Sequence, residues 1–276
     1  MIGDEQQGGS KGPERIAQSR VRELLADEGV DVAMERVERG TPFRDSVSAS
    51  FAVNQQLAAI VRRMIAAGQF PLVLAGSCDA SLGIVAALDS SRCGVIWFDA
   101  HGDYNTPETT ITGFFGGMSL AVITGHCYQK LWAQMSAHAT IEESKVLMMG
   151  VRDLDALERE RLEHSAIHVV QWHEGKPQGD VYAALDQLTQ RVQRVYVHID
   201  LDALDPQVAP GIVDTPVPGG LALQDIEELI RAVADRFHIA AAALTTYNPD
   251  RDVNGKTLRA ALRVIQVLAE CLIQIR

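Results

Sequence analysis

The residues Trp97-Phe98-Asp99-Ala100-His101-Gly102-Asp103 have a counterpart far downstream in His198-Ile199-Asp200-Leu201-Asp202-Ala203-Leu204-Asp205-Pro206. Each stretch ends an apolar run, from Gly94 in the first and from Val195 in the second, that is typical of a buried strand. The carboxyl ends of neighbouring parallel strands meet at one edge of a sheet, where the ligand sites of α/β proteins form. We therefore expect the two stretches to lie side by side at that edge.

The two stretches would bring several ionisable side chains into one small volume: Asp99, His101, Asp103, Asp200 and Asp202. Carboxylates packed this closely repel one another and shift their pKa values strongly. A pair of divalent cations about 3.5 Å apart removes the repulsion, as in two-metal hydrolases, and oxygen ligands with an imidazole suit Mn2+. Either triplet alone is more often a solvated loop, but the two together predict a dinuclear metal site.

The rest of the chain alternates between strand and helix patterns. This alternation predicts an α/β fold, with a three-layer α/β/α arrangement around a mostly parallel central sheet. We expect a single domain over residues 13–276, preceded by a flexible, polar and Gly-rich tail over residues 1–12. The expected strands are 30–34, 71–75, 94–98, 145–149, 167–170, 195–199 and 240–244. The expected helices are 13–25, 57–67, 80–88, 152–164, 181–192, 223–236 and 258–275.

Composition narrows the class of protein. The chain of 276 residues is 47% apolar, which is enough for a large core, and its net charge of −11 argues against nucleic-acid and anionic membrane partners. No apolar run is long enough to span a bilayer, and the polar amino terminus does not resemble a secretory signal. The four cysteines have no paired spacing, so we expect free thiols in a reducing cytoplasm.

The D-A-H-x-D and H-x-D-x-D-x-x-D-P motifs resemble the signatures of the ureohydrolase (arginase/agmatinase) superfamily, and the resemblance covers nearly the whole chain after the tail. It implies an arginase-like fold and hydrolysis of guanidino C–N bonds at a dinuclear Mn2+ centre, commonly in a homo-oligomer. In the family, Asp99, Asp103 and Asp200 would bridge or bind the first ion, and His101 and Asp202 would complete the second. Because the ions make water nucleophilic, the resemblance marks Asp103, His101 and Asp202 as catalytic residues.

The loop over residues 103–113 is similar to the arginase version of the motif and not to the agmatinase version. Asn105, Thr110 and Thr112 match residues that hold the α-carboxylate of the substrate. Neutral amide and hydroxyl donors suit a carboxylate because each supplies a directed hydrogen bond. The resemblance therefore implies a small-molecule guanidino amino acid as the substrate.

The segment Arg152-Asp153-Leu154-Asp155, followed by Glu158, resembles the family motif R-D-x-D-x-x-E, in which the second Asp and the Glu receive the α-ammonium group. That role is carried over to Asp155 and Glu158. An alternative for these two residues is a pair of charges stabilised by a helix dipole. Thr215 matches an active-site threonine of the family, with a plain turn hydroxyl as the alternative.

The chain departs from the family pattern at the first metal. Residues 76–81 read Gly-Ser-Cys-Asp-Ala-Ser where the family usually has G-G-D-H-S, whose His is a ligand. Either Cys78 or Asp79 could take its place, and Cys78 could instead be a small buried apolar residue. A cysteine near this position resembles a branch of the family that hydrolyses Nω-hydroxyarginine. A weaker ligand here predicts weaker binding of the first ion.

The chain departs from the pattern again at the substrate. Gly116 occupies the position of the family's proton-shuttle His and cannot donate a proton, although an amine leaving group needs one. Thr246 replaces a Glu that faces the guanidinium, which predicts weaker binding of a fully charged group. Asp250 or Asp252 could substitute for that Glu, with loop solvation as the alternative for each.

These features predict a Mn2+-dependent amidinohydrolase that acts on arginine or an arginine derivative, with Nω-hydroxyarginine preferred, to give ornithine and urea or hydroxyurea. One alternative is a hydrolase of another guanidino or amide compound, such as agmatine or guanidinobutyrate. The other is a non-catalytic relative with a degenerate metal site. His198 is expected to pack beneath the metal site, and the histidines outside the motifs to be surface or packing residues.

Overall fold

The protein is described from a computed structural model that covers residues 9–38 and 43–274. Its strands are β1 (Leu72–Leu74), β2 (Cys93–Phe98), β3 (Val146–Val151), β4 (His168–His173), β5 (Lys176–Pro177), β6 (Arg194–Asp200) and β7 (His238–Thr245). They form one seven-stranded sheet in the order β1-β7-β6-β2-β3-β4-β5. Neighbouring strands run parallel, except that β5 pairs antiparallel to β4 at one edge.

The central strands are buried because helices cover both faces of the sheet. In β2, Ile96 and Phe98 contact one apolar core while Val95 and Trp97 contact the other, as the two-residue period of a strand requires. All residues of β2 and β3 are buried. This matches the near-continuous apolar runs expected of parallel strands between two helical layers.

The helices form the two outer layers. They are α1 (Gly12–Ala17), α2 (Val21–Asp27), α3 (Ser46–Ala66), α4 (Ser81–Ala87), α5 (Ser119–Ile123), α6 (Gln129–Met135), α7 (Ala156–Glu163), α8 (Val181–Thr189), α9 (Leu223–Ala234) and α10 (Lys256–Gln274). Helices α1, α2, α8, α9 and α10 pack on one face, and α3 to α7 pack on the other. The expected three-layer α/β/α fold around a mostly parallel sheet is confirmed.

The prediction of a strand over residues 30–34 is wrong. The segment has no regular structure, although Val30 and Val32 pack against the apolar core. It has no partner strand among the described residues, so its backbone groups cannot form a ladder. The short antiparallel strand β5 was not expected, and its Pro177 fits an edge position because proline lacks a donor.

Several helices differ from the expected ones, and α7, expected from residue 152, begins at Ala156. The helix expected over 13–25 is two helices separated by a turn at residues 18–20. Helix α3 begins at Ser46 and not at residue 57, because Asp45 Oδ1 accepts a hydrogen bond from the Ser48 N–H at 2.7 Å and caps the first turn. Helices α5 and α6 were not expected.

Residues 9–12, part of the expected amino-terminal tail, are among the described residues. Residues 1–8 lie outside the described residues. Residues Gly9–Lys11 form a 3-10 turn and α1 begins at Gly12. Gly12 is buried against the Tyr247 backbone, where an added Cβ would lie 2.1 Å from the carbonyl oxygen. The chain is therefore already packed before the expected boundary at residue 12.

The cysteines and the helices agree with the expectations from composition. All four cysteines are buried free thiols. Within residues 9–38 and 43–274, no helix combines the length and the apolar character needed to cross a bilayer.

Candidate metal centre

The two acidic stretches lie side by side. Strands β2 and β6 are parallel neighbours, with Phe98 opposite Ile199, so the residues that follow them meet at one edge of the sheet. The Ala100 N–H donates across this edge to Asp202 Oδ1 at 3.1 Å. The predicted convergence is confirmed, and it follows from the register of adjacent strands.

Local hydrogen bonds orient the first carboxylate of each stretch. The His101 N–H donates to Asp99 Oδ1 at 2.7 Å, and the Asp202 N–H donates to Asp200 Oδ1 at 2.8 Å. Trp97 Nε1–H donates to the other Asp99 oxygen at 3.1 Å. Because backbone and indole donors hold them, these carboxylates are preorganised at the strand ends.

His101 lies between two carboxylates. Its Nδ1 is 3.2 Å from Asp99 Oδ1 and 3.1 Å from Asp202 Oδ2. Burial lowers the pKa of His101, but the charges and hydrogen bonds of Asp202 and Asp99 outweigh burial and raise this pKa well above its usual value. Burial raises the pKa of Asp202, but the His101 charge overrides it and lowers that pKa. The two carboxylates on either side of Nδ1 would stabilise a bound cation in the same way.

Cys78 faces the cluster and Asp79 does not. Cys78 Sγ lies 3.0 Å from Asp200 Oδ2 and 3.9 Å from Asp99 Oδ2. Asp79 is buried and accepts a hydrogen bond from the Ser50 hydroxyl of α3. Of the two alternatives for the missing histidine ligand, the geometry favours Cys78. Both residues lie in a 3-10 turn after β1, and only one of two successive side chains can point inward.

The charged forms of the carboxylates in the cluster are disfavoured by burial and by mutual repulsion. Burial first, and then the neighbouring charge of Asp202, raise the pKa of Asp99 to about 6. Burial and the charge of Asp99 raise the pKa of Asp103 well above its usual range. Burial and the charges of Asp202 and Asp99 do the same for the pKa of Asp200. Asp103 Oδ2 is buried and has no hydrogen-bond partner among the described residues. Bound cations would remove this repulsion and give the orphaned oxygen a partner.

Two groups of side chains can each hold an ion, and they share one carboxylate. Asp99, His101 and Asp202 form one group, and Cys78, Asp99, His198 and Asp200 form the other, each with ligand atoms within 4.8 Å of one another. A shared carboxylate between adjacent groups is the arrangement of a two-metal site. The residues present therefore fit a dinuclear centre.

His198 was expected only to pack beneath the site. It is fully buried and stacks on Trp97, with ring centroids 3.7 Å apart. Burial lowers the pKa of His198 to about 3, so the ring is neutral. The sequence does contain a signal for its position, since residues two apart on a strand share a face and His198 precedes Asp200 by two.

The candidate carboxylate-binding amide lies beside the candidate ammonium-binding carboxylate. Asn105 is buried, and its Nδ2 donates to Asp155 Oδ2 at 3.2 Å. Asp155 precedes α7 but its side chain makes no capping hydrogen bond. The carboxylate is therefore directed toward the loop that follows the first metal stretch, and not toward the helix end.

Glu158 lies deeper than expected. Its Oε1 accepts a hydrogen bond from the Tyr104 N–H at 2.8 Å, and the residue is 3% exposed. Burial raises the pKa of Glu158 to about 7, although that hydrogen bond favours the charged form. Its position supports the backbone of the loop, and an ammonium-binding role for Glu158 stays a prediction.

The threonines of the candidate site differ in their surroundings. Thr110 and Thr112 lie in the loop, where their Oγ1 atoms accept backbone N–H groups from Gly113 at 3.0 Å and Phe114 at 3.1 Å. Each hydroxyl proton remains able to donate to a ligand. Thr215 is exposed in the loop after β6, and its predicted role is not tested by this geometry.

Thr246 is tied to the cluster. Its hydroxyl donates to Asp200 Oδ2, which also accepts a hydrogen bond from Thr245 at 3.0 Å. Thr246 has φ of 68°, a left-handed conformation that is strained for a β-branched residue and costs roughly 1–3 kcal/mol. The residue that replaces the family's Glu is thus held against a metal-site carboxylate. Asp250 pairs with Lys11, and Asp252 accepts hydrogen bonds from Tyr247 and from the start of α10, so each carboxylate has partners of its own outside the cluster.

Gly116 is buried beside an aromatic ring. A Cβ at this position would lie 2.5 Å from Phe114 Cε1 and 2.6 Å from Ser77 Oγ. We expect Gly116→Ala to displace the Phe114 ring and to lower the free energy of unfolding by about 1–3 kcal/mol. Gly117→Ala is the matched control, because its nearest neighbour, Phe114 Cδ1, would be 4.0 Å away. Urea denaturation of both variants measures the difference, and equal stabilities would contradict the overlap.

Arg152 has a structural role that the sequence did not reveal. Its guanidinium donates to the backbone carbonyls of Gly150 near the end of β3, of Val217 in the long loop, and of Asp202, Ala203 and Leu204 in the second metal stretch. These contacts hold the second metal stretch against the end of β3. The motif R-D-x-D marked the position, but not the carbonyls that it binds.

Sequence comparisons with known proteins find arginases. The model of the arginase family matches residues 2–270. The arginase of Bacillus subtilis is 31% identical over 280 residues, which cover 97% of this chain and 94% of the relative. The arginase of Bacillus caldovelox is 33% identical over 248 residues, which cover 88% of this chain and 83% of the relative.

Solved structures give the same result. The crystal structure of Bacillus subtilis arginase superimposes with a TM-score of 0.86 at 30% identity, covering 98% of this chain and 95% of that one. The structure of Bacillus caldovelox arginase superimposes with a TM-score of 0.81 at 32% identity, covering 94% of this chain and 91% of that one. The agmatine ureohydrolase of Thermoplasma volcanium, at 19% identity and a TM-score of 0.63, shares the fold. The chain belongs to the arginase family of the ureohydrolase superfamily, whose members hydrolyse the C–N bonds of guanidino groups.

Proposed function

We propose that this protein is a Mn2+-dependent amidinohydrolase that acts on arginine or an arginine derivative, with Nω-hydroxyarginine as the preferred substrate. The observation that carries the proposal is the pair of ligand groups that share Asp99. The contact between Asn105 and Asp155, on the loop that leaves the first group, adds a place for the amino-acid end of the substrate.

The metal centre would be held by residues from both strand ends. The first ion would take Cys78, Asp99 and Asp200 with Asp103, whose buried carboxylate faces the same residues. The second would take Asp99, His101 and Asp202. Two bound cations lower the pKa of water and offset negative charge that develops during hydrolysis. The chain itself contributes the rigid carboxylate positions, because backbone N–H groups already hold Asp99 and Asp200.

The amino-acid end of the substrate would be recognised by the loop and by the start of α7. Asn105 Nδ2 and the hydroxyls of Thr110 and Thr112 are donors for an α-carboxylate, and Asp155 is an acceptor for an α-ammonium group. The amide–carboxylate contact of 3.2 Å between Asn105 and Asp155 places a donor beside an acceptor. This is the complementarity that a zwitterionic substrate end requires.

The guanidino end supports a less basic substrate. Thr246 offers a hydroxyl that is already bound to Asp200, in place of a free carboxylate. Gly116 does not distinguish the two amino-acid substrates, because both release the same amine. In the reaction, the oxygen of water bonds to the guanidino carbon and the C–N bond to the ornithine side chain breaks. The released amine takes up the protons of that water. Nω-hydroxyarginine would give ornithine and hydroxyurea, and arginine would give ornithine and urea.

A substrate panel tests the proposal. Purified full-length protein loaded with Mn2+ would be incubated with arginine, Nω-hydroxyarginine, agmatine and 4-guanidinobutyrate, and the amine and urea products would be measured by mass spectrometry. We expect ornithine from the two amino acids, with the higher kcat/KM for Nω-hydroxyarginine. Exclusive turnover of agmatine or guanidinobutyrate, or no turnover with both ions bound, would overturn it.

We expect Asp155→Asn to lower kcat/KM by about 10- to 100-fold for arginine-type substrates, because a charge-assisted hydrogen bond is worth about 1.5–3 kcal/mol. Guanidinobutyrate, which has no α-ammonium group, supplies the internal control, since any weak turnover of it should be unaffected. Kinetics of the variant with both substrate types measure this contrast. An equal loss for both types would assign Asp155 a structural role.

The cellular setting is also part of the proposal. The four buried free thiols support a reducing compartment such as the cytoplasm. A homo-oligomeric state remains a prediction from the family, and light scattering of the purified chain would measure it.

A further inference from the structure

Within residues 9–38 and 43–274, His198 is the histidine that reaches the cluster from a strand of the sheet. It lies on β6 opposite Trp97 of β2, and it is fully buried. Residues two apart on a strand face the same side, so His198 shares its side of β6 with Asp200. The imidazole therefore stands at the base of the site, against the carboxylates, and not at its solvent-facing rim where His101 lies.

The ring nitrogens of His198 have different surroundings. Nδ1 is 2.9 Å from Ser81 Oγ and 3.2 Å from the Tyr196 hydroxyl, and those two oxygens are 2.7 Å apart. Nε2 is buried and has no hydrogen-bond partner within the described part of the chain. A histidine that is fixed through one nitrogen and presents the other as a free acceptor is typical of an oriented metal ligand.

The neighbours of that nitrogen are other ligand atoms. A ring nitrogen of His198, Cys78 Sγ and one carboxylate oxygen each of Asp99 and Asp200 all lie within 4.8 Å of one another, and all four residues are buried. Because Ser81 and Tyr196 engage Nδ1, Nε2 is the nitrogen available to the group. An unpaired nitrogen buried among acidic groups would be unfavourable without a cation to bind.

We propose that His198 Nε2 is a ligand of the first ion, together with Cys78, Asp99 and Asp200. The inference rests on the dinuclear centre of the proposed function and assigns it a further residue. The imidazole comes from β6, whereas the segment 76–81 contains no histidine. With Asp103, the first set has one sulfur, one nitrogen and three carboxylates. Its sulfur makes it softer than the Asp99, His101 and Asp202 group, so the first site should favour Co2+ or Zn2+ more than the second site does.

Metal titration of the full-length chain tests this. The wild type, His198→Asn, Cys78→Ser and the exposed control His164→Asn would be titrated with Co2+ and, separately, Mn2+, by calorimetry and absorption spectroscopy. We expect His198→Asn to lower the affinity for the first ion at least about 100-fold and to leave the second ion bound. The ligand-field and thiolate charge-transfer bands of bound Co2+ should also change. The control should match the wild type. Two ions bound with wild-type affinity and spectrum in His198→Asn would overturn the assignment.

A second measurement does not depend on the variant folding. Pulsed electron paramagnetic resonance of Mn2+-loaded wild type, with and without 15N-labelled histidine, counts the imidazole nitrogens coupled to the metal. We expect two histidines, one of which remains in His101→Asn; a single coupled histidine in the wild type would overturn the assignment. A wild type with both histidines coupled but no guanidino turnover would contradict the proposed function alone.

Discussion

Asp103→Asn is expected to abolish turnover and, at the same time, to stabilise the metal-free protein. The carboxylate is buried against Cys78, Asp99 and Asp200, and its Oδ2 has no partner among the described residues. Without a cation, an amide of the same shape removes a buried charge, which should raise the free energy of unfolding by about 1–3 kcal/mol. Asp103 has φ of 47°, and asparagine tolerates this left-handed conformation well.

The same substitution should nearly eliminate catalysis, because it removes a charged ligand of the first ion. A metal contribution of about 4 kcal/mol to transition-state stabilisation corresponds to about 10^3-fold in rate. Thermal unfolding in a chelator and in Mn2+, with kcat from the product assay, measures both effects. We expect the Mn2+-induced rise in Tm to shrink while the metal-free Tm increases.

Asp79→Asn is the matched control for this prediction. Asp79 is also a buried aspartate beside the site, but it is hydrogen-bonded to Ser50 of α3 and turned away from the other carboxylates. The activity and metal stoichiometry of the Asp79→Asn variant should therefore stay near those of the wild type. Loss of an ion in Asp79→Asn would make Asp79 the replacement for the missing histidine. An unchanged kcat in Asp103→Asn would remove Asp103 from the site.

Arg152→Lys should destabilise the protein by about 2–4 kcal/mol, a large effect for a substitution that keeps the charge. The guanidinium donates to carbonyls at the end of β3, in the long loop at Val217 and in the stretch that starts at Asp202. A lysine has a single compact ammonium group and cannot span carbonyls in different directions. Each carbonyl left unpaired in this half-buried position adds to the loss.

The loss should extend to metal binding, because the Asp202 backbone is one of the groups that Arg152 holds. We expect the affinity for the second ion, measured by Mn2+ calorimetry, to fall at least tenfold. The midpoint of urea denaturation should also be lower. Arg159→Lys, on the exposed surface of α7, is the control and should change neither quantity. A wild-type midpoint in Arg152→Lys would show that the carbonyls are satisfied in another way.

The layered fold and the meeting of the acidic stretches could be predicted from the sequence because both depend on short-range patterns. The apolar runs before Asp99 and Asp200 predict buried parallel strands, and parallel strands place their carboxyl ends together. The same local logic was wrong at residues 30–34, where an apolar run has no neighbouring strand, and it missed the start of α3, where Asp45 and not an apolar pattern sets the boundary.

The sequence by itself determined the α/β architecture and the acidic stretches that meet at one edge of the sheet, and it predicted the loop for which we propose amino-acid binding. Only the tertiary structure decided which of Cys78 and Asp79 points inward, where the free nitrogen of His198 lies, and what Arg152 binds. The physical reason is that strand patterns repeat over a few residues, whereas these orientations depend on atoms far away along the chain, 50 residues away between Arg152 and Asp202 and 122 between Cys78 and Asp200.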